Sequence, residues 1–553
     1  MFRKKILFFA SIKPFFLYLV FIISAICFLS SLLFFLTFLL ASFAPLFVSN
    51  NAWQSLYGES RSTLSFIKIL HIFLFTLKHS LLSSILAVSL GLCAAFFCAN
   101  RTFKLRSFLL SLSSIPLTLP AIIISLSYIL FFGNNGLFFI ALDRLFKIKV
   151  PSFLYSILGI ILVQGFYNFP IAMRFITDSW SSFSQSQKAA ATLLGAKPFF
   201  IFRSIILPHL MPSILSSFLL IFLFCFFSFV IILLFGGVGV STIEVELYKC
   251  ISYSFDFRLA SCLALGEFLF GCIMLICYSY FKRKANVSEE SISLEEERAK
   301  IRGGIERGFF MLLIFLIFFF LVLPIISVFM YSFYPSGYSY GSSYYLSLKA
   351  WKNVLSSRIF WQSLLNSVYI GVLVAMLSSL SSIFFCYIKL FFFDKAIMEV
   401  ISFLPLITSS IMLGFGSRML VKTGNVVILI LAQSSLFWLF SYSRLQESIA
   451  NIPKNIVDAS LILSKDRLRA FFLIILPISK KAIITGAVFV FAISLAETSL
   501  PLALGLEGFS TLTLLLFDYA STYRTSESAV LGIILLLVSS LAFWLKDRKR
   551  PKD

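Results

Sequence analysis

Twelve long apolar runs limit what this chain can fold into. They lie at about 15–47, 72–99, 108–132, 154–176, 211–235 and 259–281 in the first half. The second half supplies 309–333, 363–393, 397–421, 426–446, 481–505 and 526–546. About 20 apolar residues in a helix cross the hydrocarbon of a bilayer. No water is present there to satisfy backbone N–H and C=O groups, so the spanning form is a helix whose hydrogen bonds close internally. The expectation is an all-α polytopic membrane protein. Composition agrees, because a chain of 553 residues that is 59% hydrophobic and 13% charged lies outside the soluble globular classes. The 69 phenylalanines suit lipid-facing surface and mark a compositional bias.

A net charge of +22 would point to nucleic acid in a soluble protein. In a membrane protein it reports topology, because lysine and arginine collect on the cytoplasmic side. With the N-terminus inside, 32 of the 46 basic residues fall in inner segments, which puts both termini in the cytoplasm. Arg3, Lys4 and Lys5 precede a run from Phe15 to Phe47 that is too long for a signal-peptide core, so it reads as an uncleaved first span. Most of the nine cysteines, Cys27, Cys93, Cys98, Cys225 and Cys386 among them, sit in apolar runs without a Cys-x-x-Cys pair. They read as buried thiols.

Two charged islands repeat between these runs. Ala189–Pro208, AAATLLGAKPFFIFRSIILP, aligns without a gap to Asp458–Pro477, DASLILSKDRLRAFFLIILP, at an offset of 269 residues. Both close on Ile-Ile-Leu-Pro. Proline has no N–H to donate and suits the first turn of a helix, so Pro208 and Pro477 are expected to open the next span. The charge asymmetry independently places both islands in the cytoplasm. The repeat reaches further, since His79–Cys98 is similar to Asn366–Cys386. Two parallel halves of six helices follow. Residues 1–70 hold the first helix and an outer loop, 71–281 the first repeated unit and 282–308 a charged cytoplasmic linker. Residues 309–362 hold the seventh helix and an outer loop, 363–546 the second unit and 547–553 a tail. The main asymmetry is a longer outer loop, Gly133 to Phe153, in the first half.

The islands resemble the EAA loop of ATP-binding-cassette importer permeases, Glu-Ala-Ala, three residues, Gly, then a run closing in Ile-x-Leu-Pro. Ala190, Ala191, Gly195, Leu207 and Pro208 match in the first copy, and Ala459, Leu476 and Pro477 in the second. Ala189 stands where the family has Glu, and Asp458 is a shorter carboxylate at the same place. Ser460 replaces the second alanine and Ser464 the turn glycine, so the second turn is expected to be built differently. The resemblance implies a type I importer transmembrane fold in a bacterial cytoplasmic membrane, each half one type-1 unit. It also implies that the loops dock in grooves of two copies of a separate ATPase, and that a periplasmic or lipid-anchored binding protein delivers substrate. GNNGLF (Gly133–Phe138), GFYNFPIAMR (Gly165–Arg174) and FCFFSFVIILLFGG (Phe224–Gly237) are most similar to thiamine permeases, with ferric-iron permeases next.

Chemistry within the chain itself is sparse. It contains no G-x-x-x-x-G-K-[ST] loop to cradle phosphates, so ATP and its magnesium belong to the partner and no cofactor is expected here. His71, His79 and His209 show no metal-ligand spacing. No nucleophile stands with a base, so the chain reads as a transport subunit rather than an enzyme. Glu497 is an ionisable residue inside an apolar run, a functional candidate by default. Its counterpart at the 269 offset is Ser228, and the two are the candidate pathway residues. Glu267 is a weaker case. Pro116, Pro120 and Pro405 mark expected kinks. An ion-coupled secondary transporter would carry more intramembrane charge and no paired loops.

Overall fold

The computed structural model describes residues 14–547 apart from 48–65, 115, 117–118, 148–151, 184, 237–240, 290–298, 302, 335–345, 393–400, 422–423, 465 and 507. The elements used below, in chain order, are α1 (Pro14–Phe47), α2 (Phe66–Asn100), β1 (Arg101–Thr102), α3 (Ile157–Ser181), α4 (Gln185–Leu193), α5 (Leu207–Phe226) and α6 (Val230–Phe235). They continue as β2 (Ala299–Lys300), α7 (Gly304–Ile317), α8 (Leu323–Tyr331), α9 (Arg358–Phe391), α10 (Val426–Ala450), α11 (Lys454–Ser464), α12 (Lys480–Ala496) and α13 (Ser499–Leu504). Among the described residues, nine helices are long and apolar enough to span a membrane, or eleven if two bent pairs count as one span each. The run expected at 526–546 is the helix Thr525–Asp547.

Several expected spans are interrupted. The run at 108–132 starts as a short helix, Arg106–Ser111, and a 3-10 turn, Leu112–Ser114; the main helix begins at Ala121, after Pro120. The run at 397–421 bends by 88° between Ile401–Ile407 and Ser410–Leu420, and Pro405 opens the 3-10 turn Leu404–Ile407 just before the bend. Proline removes a donor and clashes with the preceding turn, which suits Pro120 to the start of the helix at Ala121 and Pro405 to the first turn of the short helix before the bend. The runs at 211–235 and 481–505 also break, after Phe226 and after Ala496.

The chain divides into two compact units. Unit A comprises residues 60–356 and 516–533, and unit B comprises 1–59, 357–515 and 534–553. The first helix of the chain is thus a member of unit B, and α7 and α8 are members of unit A. In unit A, α2 and α3 pack backbone to backbone where a Cβ on Gly91 would lie 2.5 Å from the Ala172 Cβ. In unit B, Phe28 of α1 sits among the rings of Phe384, Phe385 and Trp438, with centroids 5.4–5.6 Å away.

Local structure repeats in register. Helices α3 and α10 begin and end 269 residues apart. Their N-caps, Ser156 and Asn425, stand at the same offset and both accept a backbone N–H, which satisfies a donor that the helix start leaves open. Three π-turns recur as well. Phe202–Ile206, Phe318–Val322 and Phe471–Ile475 each lie just before a Leu-Pro pair, 207–208, 323–324 and 476–477. The wider π-turn takes up the missing N–H and the bulk of the pyrrolidine ring one turn later. Pro208 therefore does not open a span, as the sequence suggested: its helix is already running from Pro198. Pro477 likewise follows a helical stretch that begins at Arg467.

Candidate docking loops

The first loop is a helix, a turn and a second helix. Helix α4 carries Ala189 and Ala190 on its exposed side and Ala191 buried against unit A. It ends at Leu193, and the turn that follows is closed at Gly195, whose φ of 80° is left-handed. The Ala196 N–H reaches the Ala191 carbonyl at 3.1 Å, and the Gly195 N–H reaches that of Thr192 at 3.0 Å. This pair of bonds is a Schellman C-cap, which needs the left-handed residue that glycine supplies without strain. The chain turns, Lys197 precedes a short helix at Pro198–Ile201, and the π-turn leads into α5 with Pro208 exposed.

The second loop reaches the same shape by other means. Asp458 and Ala459 are exposed on α11, and Ser460, the counterpart of Ala191, is buried. Ser464 stands in the place of Gly195 but remains the last helical residue. Its hydroxyl lies 2.7 Å from the Ser460 carbonyl and 3.1 Å from that of Asp466. Asp466 then caps the next short helix by accepting the Leu468 N–H at 3.2 Å. Helix α1 braces this turn, since the Tyr18 hydroxyl donates to the other Asp466 oxygen at 3.3 Å. The Arg467 guanidinium lies over the Phe392 ring at 5.2 Å. The expectation of a differently built turn is met. Pro477 follows, exposed, just after the π-turn Phe471–Ile475.

Each loop also presents residues that the sequence reading passed over. Leu193 and Leu194 are 89% and 87% exposed, and their counterparts Ile462 and Leu463 are both 79% exposed. These two apolar pairs stand in the same register, at the end of the helix and beside the turn. A soluble face would carry polar residues there. The signal was present in the sequence, a Leu-Leu and an Ile-Leu next to the turn of each island, but only the fold shows that they point away from the core.

The two pathway candidates lie at matching breaks, each within its own unit. Helix α5 ends at Phe226 and α6 starts at Val230; α12 ends at Ala496 and α13 starts at Ser499. Ser228 donates its backbone N–H to the Cys225 carbonyl at 3.3 Å. Glu497 accepts the Leu500 N–H of α13 at 3.0 Å, and the Thr513 hydroxyl donates to its carbonyl at 2.9 Å. Among the described residues, no group of three or more His, Cys, Asp or Glu side chains is arranged to hold a metal ion. Glu267 is buried in the helix that begins at Phe257.

Residues 87–286 and 389–552 match the family described as binding-protein-dependent transport system inner membrane component. Similar curated proteins include the thiamine transport system permease protein of Salmonella typhimurium, 23% identical over 93% of this chain and 94% of that one. The permease of the same description in Escherichia coli is 23% identical over 86% of this chain and 88% of its own length. That of Haemophilus influenzae is 28% identical over 262 residues, 47% of each chain.

Proposed function

The chain belongs to the binding-protein-dependent transport system inner membrane components, and from that membership we propose that it is the fused permease of an ATP-driven importer of thiamine or its phosphates. The observation that carries this reading is the pair of loops. Each is a short helix closed by a tight turn, with two bulky apolar residues aimed outward beside it. An amphipathic helix seated in a groove of a partner protein uses such anchors. Two loops in one chain fit two copies of an ATPase subunit, one on each.

ATP and magnesium act on that partner. Closure of the two ATPase subunits pulls the loops together, and the rigid helices that follow transmit the movement to the membrane-spanning part of each unit. A binding protein supplies substrate at the outer face, and rocking of two units gives alternating access. The matching breaks at Ser228 and Glu497 place irregular backbone inside apolar runs, as in segments that line a pathway. A carboxylate at the second break offsets the desolvation of a thiamine cation. Relatives described as thiamine permeases over nearly the whole chain support the substrate.

The test is uptake of labelled thiamine at nanomolar concentration by cells with and without the gene, in a strain lacking another thiamine importer. Loss of ATP-dependent uptake on deletion is the expected result. Unchanged uptake removes thiamine as substrate and makes ferric iron the next to assay.

A further inference from the structure

The linker between the halves reads in sequence as a solvated seam, but its last stretch is built into unit A. Ala299 and Lys300 of β2 pair in parallel with Arg101 and Thr102 of β1, directly after α2 ends. Two residues of strand do not hold together alone, and other contacts fix them. Glu306, in the first turn of α7, meets the Arg101 guanidinium Nε at 2.5 Å, with the two side chains only 25% and 23% exposed. Ile301 packs against the hydrophobic core of the unit. Phe310 meets the rings of Phe97 and Phe103 at 5.0 and 4.9 Å.

Arg101 also looks toward the first docking loop. Its guanidinium lies 5.7 Å from the Phe96 ring, Phe96 packs edge-on to Trp180 at 5.8 Å, and Trp180 stacks on Phe202 at 6.2 Å. Phe202 opens the π-turn that follows the loop, and Ala191 of α4 belongs to the same core. Unit B is built otherwise. With Cys98 opposite Cys386, the residues corresponding to Arg101 and Thr102 are Lys389 and Leu390, inside the uninterrupted helix α9, and there Lys389 donates to the Tyr442 hydroxyl at 2.7 Å. Among the described residues, the clamp therefore belongs to one loop and not to the other.

We propose that Arg101 and Glu306 are positioning residues for the first docking loop: the end of the linker clamps α2 and, through Phe96 and Trp180, holds Phe202 and the loop in the orientation that engages the ATPase. This rests on the reading of the loops as ATPase contacts. It makes the two contacts unequal, because only the first depends on the linker.

The experiment uses the full chain in nanodiscs and the purified ATPase subunit in two backgrounds. One retains the first loop only (Ile462→Asp with Leu463→Asp), the other the second loop only (Leu193→Asp with Leu194→Asp). In the first background, Glu306→Gln weakens ATPase binding by about threefold to tenfold, in line with a partly exposed charge-assisted pair. Exchange of the charges, Arg101→Glu with Glu306→Arg, restores most of the loss. In the second background neither change has an effect. Unchanged binding through the first loop overturns the clamp. So does equal weakening in both backgrounds accompanied by a lower melting temperature, which would mark a general loss of stability. Parent chains that bind no ATPase through either loop overturn the docking reading itself, a result separable from the other two.

Discussion

Truncation of Leu193 and Leu194 to alanine tests the docking surface most directly. Each substitution removes about three carbon groups, at about 0.8 kcal/mol per group buried. The side chains are 89% and 87% exposed in the free chain, so nearly all of that area is available to a partner. The pair then contributes about 4 kcal/mol to docking, which at about 1.4 kcal/mol per decade corresponds to an affinity loss of about 10²- to 10³-fold. The fold should not notice, because the cap bonds here are backbone to backbone and truncations of exposed side chains stay within about 0.5 kcal/mol. Two loops on one chain add avidity that masks a single defect, so the assay must isolate one contact. ATPase binding is measured with the second loop disabled by Ile462→Asp and Leu463→Asp. A loss of less than about threefold, in protein that retains its melting temperature, refutes the assignment of these residues as anchors.

Four further outcomes follow from named positions. Gly195→Ala meets no atom within 4 Å but must adopt a φ of 80°. The expected cost is about 1–2 kcal/mol, from conformation alone, read as weaker ATPase binding through the first loop, while Ser464→Ala leaves the backbone of its own turn permitted. Gly416→Ala drives a Cβ into the Phe38 carbonyl of α1, and expression of folded protein should be lost, as measured by detergent-stable monodisperse yield. Glu497→Gln keeps an acceptor for the Leu500 N–H while removing charge; the KM for thiamine should rise about tenfold at unchanged melting temperature, for one lost charge interaction, and an unchanged KM reduces Glu497 to a helix cap. The last concerns pH. Burial alone would raise the Glu246 carboxyl, but hydrogen bonds from Lys68 and Ser241 and the charges of Lys68 and Lys249 outweigh it and hold it below the usual range. Its folded-state pKa is lower than the unfolded one, so its stabilisation is complete above the unfolded value of about 4.3 and is lost as pH falls through the folded value. The melting-temperature gap between the native chain and Glu246→Gln should close on acidification below that point.

The helices were largely legible because a spanning run has to be long, apolar and internally bonded, and few alternatives satisfy that. The repeat was legible for a similar reason: an ungapped offset preserves every cap and turn, as Ser156 and Asn425 show. Three features stayed hidden. Proline reads as a helix start or a kink, and nothing local distinguishes either from a π-turn that carries the helix through, as before Pro208 and Pro477. The membership of α1 in unit B is a long-range choice; Phe28 could have found an aromatic cluster in either half. The outward direction of Leu193 and Leu194 depends on which face of α4 the core takes, and a helix of nine residues has too little periodicity to decide that.

What the two loops share and where they differ can be assigned to separate causes. The shared parts, the π-turn before Leu-Pro and the outward apolar pair, recur at one offset. They are the parts that a common partner would require of both. The differing parts are the supports. Gly195 closes the first turn through its own backbone, whereas Ser464 and Asp466 close the second through side chains, with Tyr18 adding a bond from α1. The first is backed by the linker clamp at Arg101 and Glu306, and the second by α1 and the end of α9. The side-chain turn of the second loop has a consequence that the backbone turn of the first does not. Ser464→Ala with Asp466→Ala removes two local side-chain acceptors or donors, each contributing about 0.5–2 kcal/mol, and should weaken ATPase binding through the second loop alone. Equal weakening through the first loop would mean that the supports are not separate, and that the units respond as one body to a change in either turn.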